Sequence, residues 1–359
     1  MKTRMTELFG IKHPIMLAGM NWLTQPKIVS AVCNAGGLGN LAISSHTPED
    51  LRSDIRKIRE LTDNKPFAIN QILLSPTAKA NLAVVIEEKV PIVNYTLGRP
   101  PDIVPLIEAV HNYGGKVMAT VALVKHAARA EQLGVDIVNI TGHEAAAHGG
   151  FATSMVLIPM VASTVKVPVI AAGGFYDGRG LAAALALGAS GVTMGTRFAV
   201  TQECPLSEHW KQKILQSTEQ DTVYMDVGDP AVNARVYRNK RAEDAMKKRF
   251  PVIESLTGAI EIKRLLNISW WELIRSGLST RRGEGGMGMW QQLRYAAGPA
   301  RVKKVMFEGD ENAGTFALGQ VIGGITDIPT CQELIERVVA EAEKVLETTR
   351  EMAQNKLPA

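Results

Sequence analysis

The segment 143-HEAAAHGG-150 places two imidazoles in a loop of small residues, and two glycine-marked strand ends follow it, 171-AAGGFYDGRG-180 and 195-GTRF-198. Near neutral pH, an imidazole can take a proton from a carbon acid or stabilise a developing anion. Gly173, Gly174 and Gly195 carry no Cβ, so a ligand can reach the backbone N–H groups directly. Together with a following helix N-terminus, such N–H groups form an anion cradle. A phosphate cradle beside a reactive side chain is the layout of a cofactor enzyme.

Eight short apolar runs are spaced to carry these residues: Ile15–Ala18, Leu38–Ala42, Phe67–Asn70, Ile92–Tyr95, Val117–Val121, Ile137–Ile140, Val169–Ala172 and Val192–Met194. Short apolar runs are how buried parallel strands read. Helical patterns lie between them, over Pro26–Ala35, Pro48–Leu61, Ala78–Glu88, Ile103–Tyr113, Lys125–Leu133 and Leu181–Leu187. Thr47-Pro48 reads as an N-cap with proline in the first turn, while Gly114-Gly115, Gly134 and Gly188 stand at helix stops. Eight alternations within about 200 residues predict an α/β fold, a (β/α)8 TIM barrel rather than a doubly wound sheet. The barrel's phosphate site is expected after strands 7 and 8, where the glycines fall. A dinucleotide fingerprint is not favoured, because 36-GGLGN-40 matches G-x-G-x-x-G only loosely.

The texture changes after Cys204-Pro205. The sequence predicts a barrel over 1–205, a mostly helical lid inserted after strand 8 over 206–305, and a return segment with a C-terminal helix over 306–359. The basic stretch 235-RVYRNKRAEDAMKKR-249 reads first as a solvated face and otherwise as an attractor for anions. The Gly-rich 283-GEGGMGMW-290, with Met287, Met289 and Trp290, reads first as lid core and otherwise as a substrate wall.

Composition narrows the function classes. A net charge of +4 over 359 residues and 5% aromatics disfavour a nucleic-acid partner. No apolar run approaches the roughly 20 residues that span a bilayer. The opening MKTRMTELFGIKHPIML has no signal-peptide apolar core, and three scattered cysteines argue against disulfides or a cysteine-based zinc site. A cytoplasmic enzyme with a small-molecule substrate, without metal or membrane, is expected, and a homodimer is compatible with the chain.

The motifs 14-PIMLAGM-20, 36-GGLGN-40, Asn70-Gln71, 143-HEAAAHGG-150, 171-AAGGFYDGRG-180, 195-GTRF-198 with 203-ECP-205, and 314-GTFALGQVIGGI-325 run collinearly through the chain. It resembles the flavin-dependent nitronate monooxygenase (2-nitropropane dioxygenase) family, which includes NADH:quinone reductases and flavin enoyl-acyl-carrier-protein reductases. The resemblance implies FMN at the C-terminal mouth of the barrel. Ala18, Gly19 and Met20 then lie against the flavin ring, and Asn70 bonds its edge. Ala172, Gly173, Gly174, Gly195 and Thr196 form the phosphate cradle, and Thr141 and Ala146 border the cofactor. His148 corresponds to the family's active-site histidine; its plainer alternative is a loop histidine bonding a carbonyl. His143 and His13 read as structural.

Two positions depart from the family pattern. Thr120 stands where many relatives carry lysine; the resemblance places it among the cofactor-binding residues, where threonine can offer the flavin only a hydrogen bond, so a lower flavin potential is expected, and Ala147 replaces a glycine before the histidine. The resemblance puts oxidation of alkyl nitronates by O2 first. The alternative is an NAD(P)H-dependent reductase of a quinone or an activated C=C bond, with the nicotinamide visiting transiently and Arg235, Arg238 and Lys240 available to a pyrophosphate.

Overall fold

The computed structural model describes residues 1–146, 149–225, 234–247 and 304–354. Eight parallel strands are joined in the order β1-β8-β7-β6-β5-β4-β3-β2. They are β1 (Ile15–Leu17), β2 (Asn40–Ala42), β3 (Ala68–Ile72), β4 (Ile92–Thr96), β5 (Lys116–Val121), β6 (Ile137–Thr141), β7 (Val169–Ala172) and β8 (Gly191–Met194). Between β1 and β2, backbone bonds from Leu17 N to Leu38 O and from Leu38 N to Ile15 O bring the barrel round to closure. The expected (β/α)8 TIM barrel is what forms.

The outer helices follow from local chemistry. They are α2 (Pro26–Asn34), α3 (Pro48–Thr62), α4 (Ala78–Glu87), α5 (Pro100–Asn112), α6 (Val124–Leu133), α7 (Ser154–Thr164) and α8 (Gly178–Ala186). Thr47 caps α3 by accepting the Asp50 N–H, and Gly134 ends α6 at φ +99°. The run-on of α7 through Pro159 is not legible in the sequence. Its Met155, Val156 and Met160 are exposed while Leu157, Ile158 and Val161 are buried, so it has no polar face to betray a period.

Inside the barrel two layers differ sharply. The lower layer is apolar: Met16, Leu38, Ala68, Ile92, Met118, Ile137 and Ile170, closed underneath by Met5 and Phe9 of a short N-terminal helix, α1 (Arg4–Phe9). Side chains two residues further along a strand face the same way. The next layer therefore holds Ala18, Asn40, Asn70, Asn94, Thr120, Asn139 and Ala172. Thr193, opposite Ala172 in the register, joins it.

After β8 come α9 (Thr196–Ala199) and α10 (Glu208–Leu215). An antiparallel ribbon follows, β9 (Thr222–Met225) with β10 (Ala234–Tyr237), leading into α11 (Lys240–Lys247). The ribbon is an element the sequence reading did not contain. It also corrects the reading of the basic stretch: Arg235 is a buried strand residue, whereas Arg238 and Lys240 are exposed. The helical patterns expected beyond residue 248, with Met287, Met289 and Trp290, lie outside the described residues. The return segment passes through a 3-10 turn (Gln320–Gly324) into α12 (Cys331–Ala353), which packs on α8 and α2.

Candidate functional site

The C-terminal mouth gathers the sequence-selected residues into one ring. Ala18 N–H donates to Met194 O, which draws the end of β1 beside Gly195. A Cβ placed on Gly195 would lie 3.4 Å from Ala18 Cβ and 3.9 Å from Met20 Sδ. A Cβ on Gly19 would stand 2.6 Å from Asn70 Cβ and 3.3 Å from Asn40 Nδ2, so only glycine fits between β1 and β3. On the other side Gly142 N–H donates to Ala172 O, placing Thr141 and Gly142 beside Gly173. Thr196 Oγ1 accepts the Gly319 N–H at 2.9 Å, and a Cβ on Gly319 would lie 3.4 Å from Ala146 N. The return segment thus closes over the strand-6 loop. His148 and its neighbour Ala147 lie outside the described residues.

The cradle differs from the expectation in one part. Gly173 and Gly174 are both left-handed, at φ +99° and +86°, which turns successive N–H groups to one side. The N-terminus of α8 does not join them: Asp177 accepts the Gly180 N–H and Glu341 the Gly178 N–H. Two carboxylates already satisfy those donors, which leaves the loop backbone at Gly173 and Gly174 and the start of α9 at Gly195 and Thr196.

Under the mouth runs a chain of neutral hydrogen bonds. Thr193 Oγ1 donates to Asn139 Oδ1 (2.9 Å), Asn139 Nδ2 to Thr120 Oγ1 (3.1 Å), and Thr120 Oγ1 to Asn94 Oδ1 (2.8 Å). This sharpens the reading of Thr120, whose one proton is committed to Asn94 and is not available to a cofactor. Asn40, in the same layer, is 0% exposed, and neither end of its carboxamide is paired among the described residues. Such a group is costly to bury unmet. Asn70, half-buried above it, has no side-chain hydrogen bond among the described residues. Unmet amides beside a glycine that must stay flat fit a planar ligand with hydrogen-bonding edges, and the glycine turns opposite fit its phosphate. A flavin has that shape and chemistry.

The strand-6 loop is braced from several directions. Glu144 accepts the Ser154 N–H at 3.0 Å and so caps α7, and Ser154 Oγ donates to Gly173 O at 2.7 Å. His143 N–H donates to Ala152 O and its Nδ1 pairs with Gly150 O at 2.9 Å, which ties the side chain into the loop. Arg197, 2% exposed, donates to Asp327 Oδ1 (3.1 Å) and its carbonyl, tying the return segment to the end of β8. Burial pulls its guanidinium down to about 10 even with Asp327 beside it. Arg197 stands within 195-GTRF-198, and nothing in the sequence marks it as a brace. Burial likewise pushes the thiols of Cys33 and Cys204 up to about 11, so neither is a poised nucleophile. His13 sits below the barrel, with its basicity lowered by burial and by Lys12.

Glycine turns and unmet amides at the mouth of a TIM barrel fit a flavin-dependent oxidoreductase, and comparison with known proteins agrees. The chain belongs to the nitronate monooxygenase family, whose profile matches residues 2–82 and 72–341. A (3aS,4S,5R,7aS)-5-hydroxy-7a-methyl-1-oxo-octahydro-1H-indene-4-carboxyl-CoA dehydrogenase of Rhodococcus jostii is 36% identical, with 96% of each chain covered. A probable nitronate monooxygenase of Staphylococcus saprophyticus is 33% identical over 78% of this chain and 93% of its own. The structure of FabK from Thermotoga maritima superposes with a TM-score of 0.81 at 35% identity, covering 98% of this chain and 99% of that one.

Proposed function

We propose that this chain binds FMN and exchanges a hydride between that flavin and a coenzyme A thioester, at a carbon near the thioester carbonyl. One observation carries the reading. The indene-carboxyl-CoA dehydrogenase of Rhodococcus jostii aligns over 96% of this chain, whereas the staphylococcal nitronate monooxygenase aligns over 78%.

FMN, when bound, would supply the hydride carrier: a hydride taken from the thioester passes on to an oxidised nicotinamide, and in the reverse direction NAD(P)H delivers it. The chain's residues do the rest. Gly173, Gly174, Gly195 and Thr196 hold the phosphate; Ala18, Gly19 and Met20 let the ring approach the backbone, with Ala172, Thr141 and Ala146 at its border. Asn70, with Asn40 beneath it, meets the ring's polar edge. His148 takes the proton from the carbon beside the carbonyl as the hydride leaves the neighbouring carbon, or returns it in the reverse direction. The neutral layer around Thr120 puts no cation under the ring.

A second reading, oxidation of an alkyl nitronate with O2, is favoured by the family profile over residues 2–341. There His148 holds the anionic nitro oxygens instead of moving a proton.

The test is the visible spectrum of the FMN-loaded protein, kept anaerobic, with NADH, NADPH, cyclohexanecarboxyl-CoA or propyl-2-nitronate added separately. Bleaching by the thioester, or by a nicotinamide with recovery on adding cyclohexene-1-carboxyl-CoA, is expected. Bleaching by the nitronate alone replaces this reading with the second. In either case His148→Ala is expected to keep FMN and lose most turnover, and an unchanged kcat/KM would take His148 out of the chemistry.

A further inference from the structure

The β6–α7 loop is folded back on itself. Its outgoing leg, Gly142–Ala145, and its returning leg, Gly149–Ala152, touch backbone to backbone: a Cβ on Gly149 would lie 2.7 Å from Gly142 O. The bond from His143 N–H to Ala152 O and the pairing of His143 Nδ1 with Gly150 O lace the legs together. The return segment holds the outgoing leg, where the Gln320 N–H donates to Glu144 O at 3.0 Å. The ribbon holds both legs.

Tyr224 of β9 spans both legs with one side chain. Its ring lies 4.4 Å from the His143 ring on the outgoing leg and meets Phe151 edge-on at 5.8 Å on the returning leg. Its hydroxyl donates to Gly149 O at 2.7 Å. Arg235 of β10 is the register partner of Tyr224 and reaches the same loop. Its Nε donates to His143 O at 3.1 Å, its Nη1 to Thr222 Oγ1 at 3.2 Å, and its guanidinium carbon lies 5.8 Å from the Tyr224 ring. Arg235 is 3% exposed and has no carboxylate at ion-pair distance among the described residues. Burying a cation away from a contacting carboxylate is costly, and the Glu144 carboxylate on the same loop offsets part of that cost from beyond ion-pair distance. Here a carbonyl, a hydroxyl and a ring face offset that penalty together. A residue kept in so unfavourable a place acts where the ribbon and the loop must stay in register.

We propose that Tyr224 is a positioning residue of the active-site loop, braced by Arg235, so that docking of the ribbon sets the backbone immediately beside His148. The proposal rests on the reading of His148 given above only for its catalytic consequence; the holding of the loop stands on the contacts themselves. Both side chains come from the segment after the barrel. The segment after the barrel thereby controls the alignment of a residue contributed by the strand-6 loop.

The experiment uses the FMN-loaded full chain as Tyr224→Phe, Tyr224→Ala and Arg235→Lys, with His148→Ala as reference. Two readouts are taken. One is amide hydrogen exchange of a peptide covering 142–152. The other is the limiting rate and half-saturation of flavin bleaching, with whichever of NADH, cyclohexanecarboxyl-CoA and propyl-2-nitronate reduces the parent protein. For Tyr224→Phe the expected result is exchange raised severalfold in 142–152 but not in β7 or β8. The limiting rate should fall about tenfold, with half-saturation and FMN affinity within twofold of the parent. Arg235→Lys should move both readouts in the same direction. Unchanged exchange in Tyr224→Phe overturns the holding of the loop, and Tyr224→Phe carries the test if Tyr224→Ala fails to fold. Raised exchange with an unchanged limiting rate overturns the positioning role wherever His148→Ala is inactive. If His148→Ala is itself fully active, the assignment of His148 fails, while the exchange result still decides the inference about Tyr224.

Discussion

The lower and upper layers of the barrel interior are two residues apart on the same strands, yet they are built on opposite principles. Below, Met16, Leu38, Ala68, Ile92, Met118, Ile137 and Ile170 pack together under the cover of Met5 and Phe9. Above, Asn94, Thr120, Asn139 and Thr193 exchange hydrogen bonds, while Asn40 is buried with both ends unmet. The lower layer is complete without a ligand. The upper layer is satisfied along the strand 4, 5, 6 and 8 side and incomplete where β1, β2 and β3 meet. Stability and ligand affinity should therefore respond separately to substitutions in the two layers.

The largest expected effect lies in the lower layer. Ile170→Ala removes fully buried methyl groups and should lower the unfolding free energy by about 2–5 kcal/mol. Urea denaturation checks this, and the folded fraction should still bind FMN with its original affinity. An equal loss of affinity would mean that the two layers are not independent.

A paired substitution sharpens the contrast within the upper layer. Asn139→Leu strands the Thr193 donor and a Thr120 lone pair, and should destabilise by about 1–3 kcal/mol. Asn40→Leu replaces an amide without partners and should leave the stability of the apoprotein unchanged or raise it, while FMN binding weakens severalfold. Denaturation of the apoproteins together with fluorimetric FMN titration gives both numbers. Full affinity in Asn40→Leu would remove Asn40 from the cofactor site.

Gly19→Ala tests the edge between the layers and the mouth. Its methyl would lie 2.6 Å from Asn70 Cβ, so Asn70 must move, and FMN affinity should fall about tenfold, or about 1.4 kcal/mol. A titration showing no change would mean that Asn70 does not touch the flavin.

The smallest effect concerns pH and belongs to the floor of the barrel. Burial alone would raise the Asp136 carboxyl, but the Val117 N–H, His111 and Lys116 outweigh it and hold the group below its ordinary range. A depressed carboxylate stabilises the fold above the unfolded-state value, near pH 4, and that stabilisation is lost as pH falls further. The slope of stability against pH below about 4 should therefore flatten in Asp136→Asn. FMN affinity measured at neutral pH should not move.

Much of this arrangement could be read from the chain. The eight apolar runs match the eight strands to within two residues at each end, because a strand buried on both faces reads as a short, mostly apolar run and nothing else competes for it. The glycines of the mouth were equally plain, since Gly173 and Gly174 occupy a backbone region that side chains disfavour. Three features were not legible. The α7 helix carries apolar residues on every side and a proline within it, so periodicity gives no signal. The β9–β10 ribbon looks like a charged surface segment, because the burial of Arg235 depends on a loop 92 residues earlier in the chain. The N-terminus of α8 looks like an anion site until Glu341, 163 residues away, arrives to fill it.

The sequence by itself determined the barrel, the face on which the glycines gather, and the family. Those properties come from short-range patterns of apolar residues and from positions where only a missing Cβ is tolerated. The tertiary structure decided which polar groups were already spoken for. Thr120 gives its proton to Asn94, α8 gives its N-terminus to two carboxylates, and Asn40 is left with nothing. Hydrogen bonding is short-ranged and directional. Whether a side chain is free to hold a ligand therefore depends on which distant residue folding brings within 3 Å of it, and the order of residues along the chain does not contain that distance.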